Sequence, residues 1–246
     1  MFEFVPATTP SLVAFLAIVL SVLIALGCAI FYSYRKSGRE DAAKMTRVTM
    51  FWVVVWLIAF CGAVATGYAR ENPMPGLPML LLLVVITSIT FAMCPIGAKI
   101  SHFVPLQYLI LFQAFRIPLE LVLHEWVEQG VIPKTMTWTG QNYDLYAGVI
   151  ALIAFPFVRR FRAVGRIANV IGFASLLNVI RIVIFSSPLP FAWNVEPKMQ
   201  LILQIPYALI GPACVGAALI GHVLVLRVFF RTPFVKPDLP ENLEIA

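Results

Sequence analysis

One long apolar stretch of the sequence carries polar side chains on a single predicted helix face. The segment QAFRIPLELVLHEW contains Gln113, Arg116, Glu120 and His124, which are spaced three, four and four residues apart. This spacing stacks them on one side of an α-helix. An ionisable side chain in the hydrocarbon of a bilayer costs on the order of 3 kcal/mol, so each such group requires a physical reason.

Two other segments carry polar residues that are predicted to join this face, with Asn142 and Asp144 beside His124 near the outer interface. Asn178 and Arg181 lie three residues apart within FASLLNVIRIVIF, and the segment TGQNYD precedes another apolar block. At a rise of about 1.5 Å per residue, Glu120 and Arg181 both lie roughly 8 Å outward from the middle of their spans. We therefore predict one outward-facing polar cleft, and its ligand-binding residues are Gln113, Arg116, Glu120, His124, Asn142, Asp144, Asn178 and Arg181.

The charges of this cleft predict its ligand. If Glu120 pairs with one arginine, the other arginine is left with an uncompensated positive charge. We therefore expect binding or transport of a small anion or a lipid headgroup, with Arg116 and Arg181 as charge contacts and Glu120 as a titratable gate.

Two other hypotheses fit the same residues. In an intramembrane enzyme, His124 or Glu120 acts as a general base on a lipid-linked substrate. In a structural or assembly subunit of a membrane complex, Arg116, Glu120 and Arg181 form a buried ionic lock that fixes the helix packing. The sequence alone leaves all three open, and it does not identify catalytic residues.

The elements that position these side chains are predicted to be transmembrane helices. The chain of 246 residues is 61% hydrophobic and 12% charged, with a mean hydropathy of +0.90. This excess of apolar residues falls in blocks of about 20, the length that a helix needs to cross a bilayer. The fold class is therefore an all-α polytopic bundle of about seven spans, which are predicted at Ser11–Tyr32, Thr49–Tyr68, Leu77–Pro95, Val104–Glu125, Tyr143–Val158, Val164–Phe185 and Met199–Phe229.

The basic residues predict the orientation of these spans. One set of short loops carries most of the lysines and arginines, whereas the other set carries only Arg70, Lys134 and Lys198. The positive-inside rule places the basic set in the cytoplasm. Residues 1–246 are thus predicted to form a single transmembrane domain with an outer segment 1–10 and a cytoplasmic tail 231–246. The short fifth span, with Pro156, could instead be re-entrant.

Several classes of protein are not favoured by the sequence. Basic residues lie in loops rather than along one face, so we predict the lipid bilayer and not nucleic acid as the partner. The cysteines lack the spacing of a zinc site, no lysine lies within a span to hold retinal, and neither a metal nor a cofactor is predicted. A membrane-protein partner remains open.

The second half of the chain resembles a known group of proteins. The segments FRIPLELVLH, MTWTGQNYDLYAG and LLNVIRIVIFSSPLPF, followed by a last span that contains proline, are similar to those of an uncharacterised family of bacterial seven-helix integral membrane proteins. The resemblance implies a multi-pass protein of the bacterial inner membrane, and it implies no activity.

Overall fold

The computed structural model describes residues 4–230, and in this range the regular elements are all helices. Six helices are long and apolar enough to cross a membrane, so the chain is a multi-pass membrane protein. A seventh apolar helix is shorter. We number these helices α1 to α7, and their bounds are Thr9–Lys36 (α1), Ala42–Ala65 (α2), Pro73–Met93 (α3), Leu106–Glu128 (α4), Asp144–Val158 (α5), Arg162–Ser186 (α6) and Tyr207–Phe230 (α7).

Short elements join the long helices. A helical turn, Tyr68–Glu71, precedes α3, and the helix Pro95–Phe103 links α3 to α4. Within α4, residues Phe112–Phe115 form a 3-10 turn immediately before Arg116. The predicted cytoplasmic tail 231–246 lies outside the described residues, as do the first three residues of the predicted outer segment.

The last helix begins later than the sequence predicts. The expected span starts at Met199, but Leu201–Leu203 form a separate 3-10 turn and α7 starts at Tyr207, directly after Pro206. Residues Ile210–Val215 then form a π-helical stretch that contains Pro212. Proline has no N–H to donate, so the α-helical hydrogen-bond register is interrupted at this point.

The connection between α4 and α5 is an irregular segment that is partly buried in the protein, although Lys134, Thr139 and Gly140 are exposed. Val131, Ile132, Met136 and Thr137 are all at most 2% exposed. The helix α5 has 15 residues, or about 22 Å, and it runs back along the N-terminal part of α4. Its first residue, Asp144, therefore lies inside the bundle beside Arg116 rather than at a membrane surface. Irregular backbone at membrane depth is tolerated where protein or a polar cavity surrounds it.

Helices α4 to α7 pack around the polar residues, and the remaining helices cover them. α1 packs through Phe15, Ile18 and Val19 against the C-terminal part of α4. α3 packs along α7. α2 exposes large apolar side chains such as Trp52 (63%) and Ile58 (66%), as expected of a surface in contact with lipid.

Candidate functional site

Arg116 occupies the centre of the bundle and is almost completely buried, with 1% of its surface exposed. Its Nη1 donates to Asp144 Oδ1 and to the backbone oxygen of Gly172, both at 3.0 Å. Its Nη2 lies 2.9 Å from His222 Nε2. The guanidinium thereby joins α4 to α5, α6 and α7.

The contact with Arg116 fixes the tautomer of His222. A guanidinium only donates hydrogen bonds, so His222 Nε2 must accept. The imidazole proton therefore resides on Nδ1, which donates to Asn169 Oδ1 at 2.8 Å. His222 is 0% exposed and is neutral in this arrangement.

Asp144 is the counter-charge of Arg116. Its Oδ1 also accepts a hydrogen bond from Ser175 Oγ at 2.8 Å. Asp144 is the first residue of α5, where the helix dipole favours a negative charge. The pair is one of two salt bridges that the structure records among residues 4–230, and the other, between Arg39 and Asp41, is at the surface.

Asn142 links Asp144 to a second carboxyl group. Its Oδ1 accepts from the Asp144 amide at 3.0 Å, which fixes the orientation of the side chain. Its Nδ2 lies 2.9 and 3.1 Å from the two carboxylate oxygens of Glu120, and 3.0 Å from the backbone oxygen of Met136. Glu120 is 1% exposed and has no cationic partner in the part of the chain that the structure describes.

The other two predicted residues of α4 lie on either side of this cluster. Gln113 is 4% exposed, and its Nε2 donates to the backbone oxygen of Ala218 at 3.2 Å. The His124 ring stacks on Trp138 with 4.3 Å between ring centroids. Among residues 4–230, Arg116 Nε, Gln113 Oε1 and His124 Nδ1 are buried atoms to which the structure gives no hydrogen-bond partner.

Asn178 and Arg181 form a separate group near the surface. Arg181 is exposed, donates to Asn178 Oδ1 and to Gln141 Oε1, and lies over the Trp193 ring at 5.2 Å. Asn178 in turn donates to the backbone oxygen of Gln141 at 2.7 Å. Gln141 is adjacent in sequence to Asn142, and this backbone is the connection between the two groups.

The predicted residues thus fall into two groups rather than one open cleft. Gln113, Arg116, Glu120, Asn142 and Asp144 lie together in the bundle, with His124 one turn beyond Glu120. The predicted pairing of Glu120 with an arginine is not observed, because Asp144 neutralises Arg116 and Arg181 points to the surface. The buried cluster therefore contains two carboxyl groups and one guanidinium.

His222, Asn169 and Ser175 also belong to the site, although the sequence does not predict them there. All three are buried polar residues within predicted spans, and that is the signal by which they could have been found. A cavity of about 50 Å³ adjoins the cluster and is lined by Arg116, Asn142 and Asp144 together with apolar side chains. A volume of this size accommodates one or a few water molecules.

Comparison with known proteins places the chain in a family without assigning an activity. The model of a family described as a domain of unknown function, DUF8737, matches residues 73–230, which is more than half of the chain. This range contains every residue of the buried cluster, and the match confirms the resemblance to a family of unknown function. No curated protein and no solved structure matches the chain significantly.

Proposed function

The chain belongs to the DUF8737 family, and we propose that it is a proton-linked binding or transport protein of the membrane in which Glu120 carries the proton. One observation carries the proposal. Two buried carboxyl groups, Glu120 and Asp144, share a hydrogen-bonded cluster with a single guanidinium, that of Arg116.

The charge balance of this cluster favours a proton over an anion. Arg116 already has a counter-ion in Asp144, and its remaining partners are the neutral acceptors Gly172 and His222. An isolated carboxylate is costly to bury, so the second carboxyl group needs a proton or a cation. Glu120 is that group, because its side-chain partner Asn142 is neutral.

His124 provides a route between Glu120 and the membrane surface. It lies one turn after Glu120 on α4, about 6 Å along the helix axis. It is only half-buried and stacks on Trp138 of the irregular connection. An imidazole in this position can pass a proton between water and the carboxyl group below it.

The irregular connection and the start of α5 are the elements that we propose to move. Asn142 holds the Asp144 amide with one end of its side chain and Glu120 with the other. Ionisation of Glu120 places a second negative charge beside Asp144, which favours separation of α5 from α4. In many transporters, broken helices and unwound segments at membrane depth form the substrate and ion sites.

We propose an anionic ligand, a small anion or a lipid headgroup, only at the surface group. The exposed guanidinium of Arg181 is held in place by Asn178 and Gln141, and its neighbour Trp193 is typical of the interfacial layer. Because Gln141 precedes Asn142, a ligand at Arg181 would act on the same segment that contacts Glu120.

We also propose that the chain crosses a bacterial inner membrane seven times. Its N-terminus then lies outside and its C-terminus in the cytoplasm. The distribution of basic residues supports this orientation. α5 is shorter than the hydrocarbon layer, and in this proposal the partly buried connection before it spans the remaining depth. His124 and Arg181 would then face the outside.

The proposal is tested by the pH dependence of access to the cluster. Val179 lines the cavity beside Asp144 and is 7% exposed. Two proteins without the native cysteines are compared: one carries Val179→Cys alone, and the other carries Val179→Cys together with Glu120→Gln. The rate at which a maleimide labels Cys at position 179 is measured for each across a pH series. We expect the two labelling rates to agree at low pH, where Gln mimics the protonated acid, and to diverge as the pH rises.

The control is Glu125→Gln, since Glu125 lies on the same helix, is exposed and bonds Gln129. It should leave the pH dependence unchanged. A constant ratio of the two rates at every pH would reject the proton-linked function and would favour the structural lock.

A further inference from the structure

A second cavity lies away from the Glu120 cluster, between α1, the N-terminal part of α4 and the C-terminal part of α7. Its volume is about 700 Å³, within the range of about 300–1,000 Å³ that is typical of ligand sites. α1 packs closely against α4 and the Pro95–Phe103 helix on either side of this groove. Phe15 and Val19 pack on the far part of α4, and Ile30 and Tyr34 pack around the helix Pro95–Phe103.

One face of α1 forms a wall of this groove. The lining residues of α1 recur at helical spacing from Ser21 to Tyr32, and the opposite wall includes Phe112, Phe115 and Leu224. The lining is almost entirely apolar. From Ser21 to Tyr32 the helix rises by about 16 Å, which matches half of a hydrocarbon layer of about 30 Å. The groove therefore has the length of one acyl chain in one leaflet.

The end of the groove near Tyr32 lies at the basic end of the bundle. Tyr32 and Tyr108 line this end and are 39% and 50% exposed. Lys36 Nζ lies over the Tyr32 ring at 5.8 Å. Lys99 Nζ lies over the Tyr34 ring at 5.6 Å and 3.4 Å from Ser37 Oγ. Tyrosine and lysine side chains at this level are typical of contacts with lipid headgroups.

We propose that this groove binds one anionic phospholipid from the leaflet at the basic end of the bundle. An acyl chain occupies the groove between α1 and α4, and the phosphate lies among Lys36, Lys99 and the hydroxyl groups of Tyr32 and Tyr108. The two lysines select an anionic headgroup, while the apolar lining accepts any chain of suitable length. The site uses none of the residues proposed to carry the proton.

Native mass spectrometry of the full chain in mild detergent tests this inference. The purified protein is titrated with phosphatidylglycerol and with phosphatidylcholine that have identical acyl chains. We expect one bound phosphatidylglycerol per chain, with a clear preference over phosphatidylcholine. The Lys36→Gln and Lys99→Gln substitutions should each reduce that preference about fivefold, the contribution of one lysine near an anionic headgroup.

A matched pair of substitutions on α1 tests the position of the acyl chain. Ala25 lines the groove, whereas Ala14 is exposed on the same helix outside the lining. Ala25→Phe should abolish the bound lipid, and Ala14→Phe should retain it. If Ala25→Phe does not fold, the lysine substitutions still decide the outcome, because Lys36 is exposed.

Three results would overturn the inference. The first is equal binding of both lipids by the wild-type protein. The second is an unchanged lipid preference when both lysines are replaced. The third is a dimer that disappears in Ala25→Phe, because the groove would then be occupied by a second copy of the chain.

Discussion

The side-chain amide of Asn142 lies 2.9 and 3.1 Å from the two oxygens of Glu120, and no other side chain is recorded as a hydrogen-bond partner of that carboxyl group among residues 4–230. Asn142 Oδ1 also accepts a hydrogen bond from the Asp144 amide, so one residue connects Glu120 to the first turn of α5. In the proposed function, this relationship couples the connection before α5 to the protonation state of Glu120.

We expect Asn142→Ala to destabilise the protein by about 1–3 kcal/mol, because it leaves both the Glu120 carboxyl group and the Asp144 amide without this partner. Unfolding in mixed detergent micelles measures the loss. Asn72→Ala is the control, since Asn72 is exposed and its side chain donates to the backbone oxygen of Tyr68. Equal stability of the two variants would contradict the role of Asn142.

The ion pair of Arg116 and Asp144 should behave as a coupled unit. Arg116→Met or Asp144→Leu alone leaves an uncompensated buried charge, and we expect each to cost about 3–5 kcal/mol. The double variant removes both charges and should cost clearly less than the sum of the two. The same unfolding assay, applied to all three variants, gives the coupling energy. Additive losses would show that the two side chains do not interact in the folded protein.

The close approach of α6 to the His222 ring leaves no space for a side chain at Gly172. A Cβ at this position would lie 2.8 Å from His222 Cε1. We therefore expect Gly172→Ala to move the imidazole away from Arg116 and to lower the stability by about 1–3 kcal/mol.

Gly62 of α2 provides a matched control, because a Cβ there meets no atom within 4 Å. Gly62→Ala should be neutral or slightly stabilising, by at most about 1 kcal/mol. Thermal unfolding of both variants in detergent checks the prediction. It is wrong if Gly172→Ala unfolds at the wild-type temperature.

The sequence predicts the helices and much of the buried cluster, because both follow from local patterns. The spacing of Gln113, Arg116 and Glu120 correctly places all three on a buried face of α4. The sequence predicts Asn142 and Asp144 near His124 at the start of the next apolar block; Asp144 does begin α5, but it lies deeper, beside Arg116.

The position of Arg181 could not be predicted in the same way. It shares a helix face with Asn178, but the sequence does not show which face of α6 points inward. In the structure Ser175, Val179 and Ile182 face the bundle. Arg181 precedes Ile182 by one residue, a rotation of about 100°, which directs it to the surface.

The contact of His222 with Arg116 is not predicted from the sequence, because the depth of His222 in the bundle depends on the geometry of α7. The sequence predicts a proline-containing span from Met199, whereas α7 begins at Tyr207 and includes the π-helical stretch Ile210–Val215. Arg116 also extends from α4 towards α6 and α7, so the two side chains meet. Such long-range contacts are not encoded in the spacing along one span.

The proposed topology predicts a pattern of cysteine accessibility around α5. Thr139 and Arg160 are exposed and flank the helix. In intact cells, a maleimide that does not cross the membrane should label Thr139→Cys but not Arg160→Cys, in a background without the native cysteines. Both should react after the membrane is permeabilised. Labelling of both positions in intact cells would show that α5 does not complete a crossing.

The most direct test of the account is the pH-dependent infrared difference spectrum of the carboxyl groups in the purified wild-type protein, Glu120→Gln and Glu125→Gln. We expect a band from a protonated carboxyl group that titrates in the wild type, disappears in Glu120→Gln and persists in Glu125→Gln. If the wild-type and Glu120→Gln spectra are the same across the pH range, Glu120 does not exchange a proton and the proposed function is wrong.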